Sequence, residues 1–317
     1  MPFADDLQRF GPDSRERITR DEATAYCARL TATHYENFSV VTALTPRELR
    51  PHFASIYGFC RWSDDLGDEI GDRARSRELL GWWRGELDAL YAGQPRHPVM
   101  IALQATVAEF AIPIDPFRQL ISAFEQDQDV VDYDSYPQLL DYCARSANPV
   151  GHLVLYLGRC FNEPNARLSD RTCTGLQLAN FWQDVSRDLD IGRIYLPRTD
   201  RERFGVSDAD LRAKRFTPEF AALLRHEVQL AREGLLAGWP LVSQMPRALA
   251  VDVDLFTRGG LAILDRIVAC RYDVFAARPE VGKLAKLGLL ARALWTLHTP
   301  FGRKARPCPG VAIQEQA

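Results

Sequence analysis

A chain of 317 residues with 46% hydrophobic and 26% charged side chains is long and apolar enough to bury a large core. Its net charge of −3, with Lys and Arg scattered rather than clustered, excludes nucleic-acid binding through a broad basic face. Length alone would allow two domains of ~150 residues each, yet no Gly/Ser/Pro-rich linker, composition shift or solenoid-spaced repeat divides the sequence. We therefore expect one folded domain over residues 1–298, followed by a loosely ordered tail, 299–317, that carries Pro300, Pro307 and Pro309.

In chain order, helical signals fall near 20–31, 46–70, 73–92, 98–111, 116–130, 136–146, 149–160, 168–190, 207–214, 218–238, 246–276 and 281–297, with a loop over 191–206. Thr45-Pro46-Arg47-Glu48 combines an N-cap, an early Pro and a capping-box Glu; Asp115-Pro116, Ser135-Tyr136-Pro137-Gln138 and Thr217-Pro218-Glu219 resemble it. Convincing alternating strand segments are missing, so the expected fold is all-α. The seven cysteines, at 27, 60, 143, 160, 173, 270 and 308, are odd in number and lack a C-x-x-C pair, and so read as reduced thiols. The acidic start Met1-Pro2-Phe3-Ala4-Asp5-Asp6 is unlike a secretory signal. No apolar run approaches the ~20 residues that span a bilayer, the best being Pro149 to Gly158. A cytoplasmic protein is expected, and peripheral contact with the inner membrane face is compatible with the sequence.

Two acid clusters stand out from this helical background. The first, Asp64-Asp65-Leu66-Gly67-Asp68-Glu69, follows Phe53, Tyr57 and Cys60. At roughly 100° per residue these three side chains project within about 40° of Asp64, so an apolar stripe runs into carboxylates, with Asp68 one turn further on. Carboxylates four residues apart repel one another and resist burial, which points to a compensating cation, most simply a metal. In the second, Gln177, Asn180, Asp184 and Asp188 share a sector about 80° wide beside an apolar sector of Leu178, Phe181, Trp182, Val185 and Leu189. Taken alone, the second pattern also fits an ordinary amphipathic surface helix.

At these residues the chain resembles the squalene/phytoene synthase family of head-to-head prenyl-coupling enzymes, from about Thr33 to Lys286. The segments that carry the resemblance are Tyr57-Gly-Phe-Cys-Arg-Trp-Ser-Asp-Asp-Leu-Gly-Asp68, Gln177-Leu-Ala-Asn-Phe-Trp-Gln-Asp-Val-Ser-Arg-Asp188 and Gly192-Arg-Ile-Tyr-Leu-Pro197. Supporting segments are His34-Tyr-Glu-Asn-Phe-Ser39, Tyr142 through Gly151, and Tyr272 through Arg278. Ser-Ala-Asn-Pro-Val-Gly and Asn-Phe-Trp-Gln-Asp make it similar to the hydroxysqualene synthases of bacterial hopanoid pathways within that family. Two departures from mainstream squalene and phytoene synthases go with this placement: Gln183 where those carry Arg before the Asp, and Gly260 where a helix-borne Tyr is common.

The resemblance implies a type I isoprenoid synthase fold, a single helical bundle around a central apolar cavity. It implies Mg²⁺, two or three ions, held by Asp64, Asp68, Asn180, Asp184 and Asp188, with Tyr57 beside the catalytic acids. Substrate contacts would come from His34, Phe38, Ser39, Arg61, Asn148, Gln177, Asn180, Phe181, Arg193 and Tyr195. The implied substrate is presqualene diphosphate, which would lose diphosphate and capture water, with Asn148 and Ser146 placing that water. Phe59 and Trp182 are further aromatic candidates for facing a carbocation, with packing in the core as the alternative. Arg61 and Arg193 could bind phosphate or simply pair with neighbouring acids, and for Arg187 the pairing is preferred. Implied partners are an upstream presqualene diphosphate synthase and a downstream hydroxysqualene reductase. NADPH is not expected, there being no strand-Gly-x-Gly-x-x-Gly-helix unit, although squalene synthases use NADPH without one. The rival readings are a transferase that couples two prenyl diphosphates and an inactive lipid-binding or assembly protein.

Overall fold

The computed structural model describes residues 3–33 and 45–298. The described chain runs through α1 Phe3–Phe10, α2 Arg20–Thr33, α3 Arg50–Asp68, α4 Arg73–Tyr91, α5 Pro98–Phe110, α6 Asp115–Gln126, α7 Tyr136–Ser146 and α8 Asn148–Leu157. It continues through α9 Glu163–Asp190, α10 Arg198–Phe204, α11 Asp208–Arg212, α12 Pro218–Gly238, a 3₁₀ turn Trp239–Gln244, α13 Arg247–Ala269 and α14 Lys283–His298. Among the described residues the only β pairing is an isolated parallel bridge between Asp132 and Ile194.

Several boundaries depart from the sequence expectation for identifiable reasons. The helix expected from residue 46 begins at Arg50, because Pro51 lacks the N–H that a helix already under way would need. Residues 46–49 instead form a turn in which Leu49 N donates to the Pro46 carbonyl at 3.0 Å. Helix α9 starts at Glu163, earlier than expected, because Asn162 accepts from Asn165 N at 2.9 Å and Pro164 occupies the first turn. The expected loop 191–206 contains α10, and α1 was not anticipated at all. Ser135 and Thr217 do cap α7 and α12.

Two large cores organise the bundle. In the first, Phe59, Trp62 and Leu66 of α3 pack with Trp83, Leu87 and Phe117. Polar rims lock this packing: Trp83 Nε1 donates to Ser63 Oγ at 2.9 Å, and Trp62 Nε1 to Tyr26 Oη at 2.9 Å. The second core gathers Leu178, Phe181, Trp182 and Val185 of α9 against Leu224, Val228 and Leu235 of α12. Helices α9 and α12 approach so closely that side chains are excluded at their crossing. A Cβ on Gly175 would lie 2.9 Å from Leu235 N, and one on Gly238 would lie 2.7 Å from Thr172 N. Thus α3 belongs to one core and α9 to the other.

The loops between the cores are stapled by Arg201, 1% exposed, whose Nη2 donates to both carboxylate oxygens of Asp132 at 2.7 and 2.8 Å. Its other arm holds Asp208. Ile194 N donates to the Val131 carbonyl at 2.7 Å, so the segment after α9 is pinned to the one after α6.

The second core also contains Glu227, fully buried, with neither carboxylate oxygen hydrogen-bonded. Burial first, and then the charge of Asp200, push its carboxyl up to about 8. A carboxyl raised in the folded state stabilises fully below its ordinary range and loses that contribution as pH rises through the folded value. We therefore expect thermal stability to fall between about pH 5 and pH 8, and Glu227→Gln to flatten that fall by about 1–3 kcal/mol. Parallel melting curves for the two proteins across that range check this, and identical pH slopes would contradict it.

Candidate active site

Helix α3 turns its largest apolar side chains, Phe59 and Trp62, against Trp83, and this sets the rotation of its acids. The fully packed face ends in Asp65, 5% exposed, whereas the stripe of Phe53, Tyr57, Cys60 and Asp64 is half-buried. The stripe runs into Asp64 as its spacing predicts, and the fully packed face lies beside it because the tryptophans demand more burial. Arg61 Nε donates to Asp65 Oδ2 at 3.0 Å, and its Nη1 lies 3.5 Å from Asp64 Oδ2. Tyr57 lies near Arg61, Asp64 and Asp65, and its phenol is raised chiefly by burial. Burial pushes the Cys60 thiol up to about 12, so Cys60 is a packing residue.

Helix α9 presents the second cluster as its pattern predicts, with Leu178, Phe181, Trp182 and Val185 buried and Asp184 and Asp188 half-buried beside them. Gly192, at φ 79°, then reverses the chain, and Arg193 N donates to the Asp188 carbonyl at 2.8 Å. The reversal carries the Arg193 side chain across to α3, where Nη2 donates to Asp68 Oδ1 at 2.8 Å. This bond joins the two acid-bearing segments directly.

The carboxyls here are poorly matched by positive charge. Asp64 is lifted to about 6 by burial and then by Asp68, with Arg61 and Arg193 pulling the other way. Asp188 is lifted to about 7 by burial and then by Asp184, again opposed by Arg193. Asp127, at the end of α6, is lifted to about 6 by burial and feels Arg193, Asp68 and Asp64. Arg193 is therefore common to both clusters, and charging all these acids together calls for further cations. Among the described residues, no group of three or more His, Cys, Asp or Glu side chains could hold an ion alone. Acid pairs delivered from two helices instead suit Mg²⁺, which completes its shell with waters and phosphate oxygens.

Three features escaped the sequence reading. Asp127 sits in Asp127-Gln128-Asp129, with no spacing to mark it, yet accepts from Tyr142 Oη at 2.8 Å. Tyr142 belongs to an aromatic group in which Phe181 stacks on Tyr195 at 3.8 Å and Tyr133 stacks on Tyr195 at 5.7 Å. Arg278 follows a turn made by two left-handed non-glycine residues, Arg271 and Tyr272 at φ 55° and 67°. It grips Asp184 with two hydrogen bonds, of 2.6 and 2.9 Å, and donates to Gln183 Oε1 at 3.0 Å. Gln183 Nε2 in turn donates to the Pro279 carbonyl at 2.5 Å.

The remaining expected residues divide into several groups. Asn180 is exposed one turn before Asp184, and Gln177 is half-buried. Asn148 accepts from Thr174 Oγ1 at 2.9 Å, roughly 15 Å along α9 from Asp184. Phe59 and Trp182 are core residues, fully buried, and Trp182 Nε1 donates to the Glu227 carbonyl at 3.1 Å. Arg187 lies 3.7 Å from Asp184, the pairing expected for it. His34, Phe38 and Ser39 lie outside the described residues, as does the tail 299–317.

A sequence model of the squalene/phytoene synthase family matches residues 31–285. A phytoene synthase of Arthrospira platensis is 30% identical, over 89% of this chain and 96% of its own length. Among solved structures, the squalene synthase HpnC of Alicyclobacillus acidocaldarius superposes with a TM-score of 0.76 at 46% identity, covering 79% of this chain and 94% of that one. A ligand-bound dehydrosqualene synthase superposes with a TM-score of 0.76 at 24% identity, over 86% of this chain and 96% of its own, a likeness of fold. The chain belongs to the squalene/phytoene synthase family, and its fold is the all-α isoprenoid synthase fold. Members of the family are enzymes that act on prenyl diphosphates.

Because Arg193 is the cation shared by both clusters, Arg193→Gln is expected to lower prenyl diphosphate turnover by about 100-fold or more. Its partner Asp68 is nearly half-exposed, so the melting temperature should move by no more than about 3 °C. Steady-state kinetics alongside calorimetry check both; wild-type turnover would contradict the assignment.

Proposed function

We propose that the chain is a hydroxysqualene synthase that ionises presqualene diphosphate and adds water to the resulting cation. The observation that carries this reading is Gln183. Position 183 offers the diphosphate a neutral, 6% exposed amide committed to Arg278 and Pro279, where mainstream coupling enzymes of the family carry Arg. Gly260 accords with it, since even a Cβ there would stand 2.8 Å from Leu176 Cδ2 and 3.0 Å from Leu235 Cδ1, leaving no room for Tyr without repacking. The squalene synthase HpnC, with 46% identity, supports the squalene side of the family.

Asp64, Asp68, Asn180, Asp184 and Asp188 are the residues proposed to hold two or three Mg²⁺ ions. When bound, Mg²⁺ would supply Lewis-acid neutralisation of the departing diphosphate. Arg61, Arg193 and Arg278 now pair with Asp64, Asp68 and Asp184, and each can turn its charge-assisted hydrogen bonds to phosphate oxygens. The C–O bond breaks with its electron pair going to diphosphate. Phe181 and Tyr195 offer ring faces that stabilise a nearby cation by about 0.5–2 kcal/mol each. Tyr57, beside Asp64, orients the charged end, and His34, Phe38 and Ser39 are assigned to substrate contact.

Water then donates a lone pair to the rearranged carbocation and releases one proton, which the departed diphosphate can accept. The sum is a hydrolysis, with no electron gained or lost, so the step needs no NADPH. Asn148 and Ser146, at the junction of α7 and α8, are proposed to place that water; Ser146 Oγ is buried with no hydrogen-bond partner among the described residues. The substrate is a coupled C₃₀ diphosphate and the product keeps a C–O bond. A presqualene diphosphate synthase acting before it and a two-electron hydroxysqualene reductase acting after it are the proposed partners. A second reading, a transferase that joins two prenyl diphosphates, is favoured by the 30% identical phytoene synthase.

Incubation of the purified protein and Mg²⁺ with presqualene, farnesyl or geranylgeranyl diphosphate, with and without NADPH, separates the two. An alcohol from presqualene diphosphate alone is expected by mass spectrometry, and consumption of farnesyl diphosphate would overturn the assignment. Asp64→Asn and Asp184→Asn should each reduce turnover by about 10³-fold with folding intact, and near-normal rates in both would remove the metal assignment.

A further inference from the structure

We infer that helix α14 is a docking surface for an anionic lipid bilayer. One face of this helix packs on α13, with Ala293 fully buried and Leu289, Leu290 and Leu294 half-buried. On the adjoining arc Leu287 is 62% exposed and Trp295 65% exposed, with exposed Ala291 between them. At roughly 100° per residue the three fall within about 80°, one stacked above the next. Together with Ile191, Leu287 and Trp295 are the most exposed large apolar side chains among the described residues. A soluble helix has no reason to align a Trp and a Leu on its solvent face, whereas an interfacial helix does, with the indole at headgroup depth.

Charge identifies the occupant. The chain as a whole carries −3, yet no Asp or Glu occurs between Glu280 and Glu315. Within that stretch Lys283, Lys286 and Arg292 lie on α14, and Arg303, Lys304 and Arg306 follow it in sequence. An apolar stripe on a segment that is cationic and free of acids is complementary to anionic headgroups above acyl chains. No described helix is long and apolar enough to cross a membrane, so contact along the surface is the mode the chemistry allows. A second copy of the chain would bring the same cations against one another, which the bilayer avoids.

Flotation of the full chain with vesicles tests this independently of turnover and of the reaction assigned above. With phosphatidylcholine vesicles containing about 30% phosphatidylglycerol, the protein is expected to float at low salt and to be released as salt is raised. Pure phosphatidylcholine should hold at least about fivefold less. The double change Leu287→Glu and Trp295→Glu should reduce binding by about tenfold or more with an unchanged melting temperature, and Trp295→Phe alone should keep most of it. Should the double variant fail to fold, quenching of wild-type fluorescence by brominated lipid gives a second readout, expected only with anionic vesicles. Absence of flotation, equal binding to neutral vesicles, or undiminished binding by a folded double variant would each overturn the inference. So would wild-type dimers in light scattering that the double change dissolves, in the absence of vesicle binding.

Discussion

Everything at this site follows from like charges being forced together. Asp64 with Asp68 and Asp184 with Asp188 are paired at helical spacing, and Asp127 adds a fifth carboxylate from the end of α6. Water cannot fully solvate groups that are this crowded by protein, so their ionisation depends on nearby cations. In this structure arginines meet part of the need: Arg61 on Asp64 and Asp65, Arg193 on Asp68, and Arg278 on Asp184. On the proposed function, a site that binds a diphosphate leaving group must hold cations ready and be able to release them. Guanidinium groups paired with acids that also suit Mg²⁺ meet both requirements.

The scaffold explains how such a repulsive arrangement is tolerated. Helix α3 is anchored by Phe59, Trp62 and Leu66 in one core, and α9 by Leu178, Trp182 and Val185 in the other. Neither helix can rotate away from the acids without exposing these side chains. The glycine crossing of α9 with α12 and the Arg201 staple between Asp132 and Asp208 hold the second core and its loops together. On that base a single left-handed residue, Gly192, suffices to direct Arg193 back over the first cluster. Long-range packing thus sets distances that local charge repulsion alone would widen.

Much of this was legible in the sequence. Period-3.6 patterning located most helices, and the apolar sector of Leu178, Phe181, Trp182 and Val185 predicted the buried face of α9 correctly. The paired acids marked the candidate site, and the structure joins their two segments through Arg193. What escaped was nonlocal. Asp127 and Arg278 reach the site through tertiary contacts with Tyr142 and Asp184, and no spacing within the chain announces such contacts. The fully packed face of α3 was also not marked by the stripe of Phe53, Tyr57 and Cys60, because packing of Phe59 and Trp62 against Trp83 sets it. Helix starts moved where a second proline, Pro51, or a better cap, Asn162, outcompeted the first signal.

The central claim is that acids from α3 and α9 close together on one diphosphate through shared divalent ions. Anomalous diffraction from crystals soaked with Mn²⁺ and inorganic pyrophosphate tests it most directly. The account predicts metal peaks bound by Asp64 or Asp68 on one side and by Asp184 or Asp188 on the other, with pyrophosphate between them and Arg193 or Arg278 turned onto it. Peaks confined to one helix, or pyrophosphate bound away from both, would contradict it.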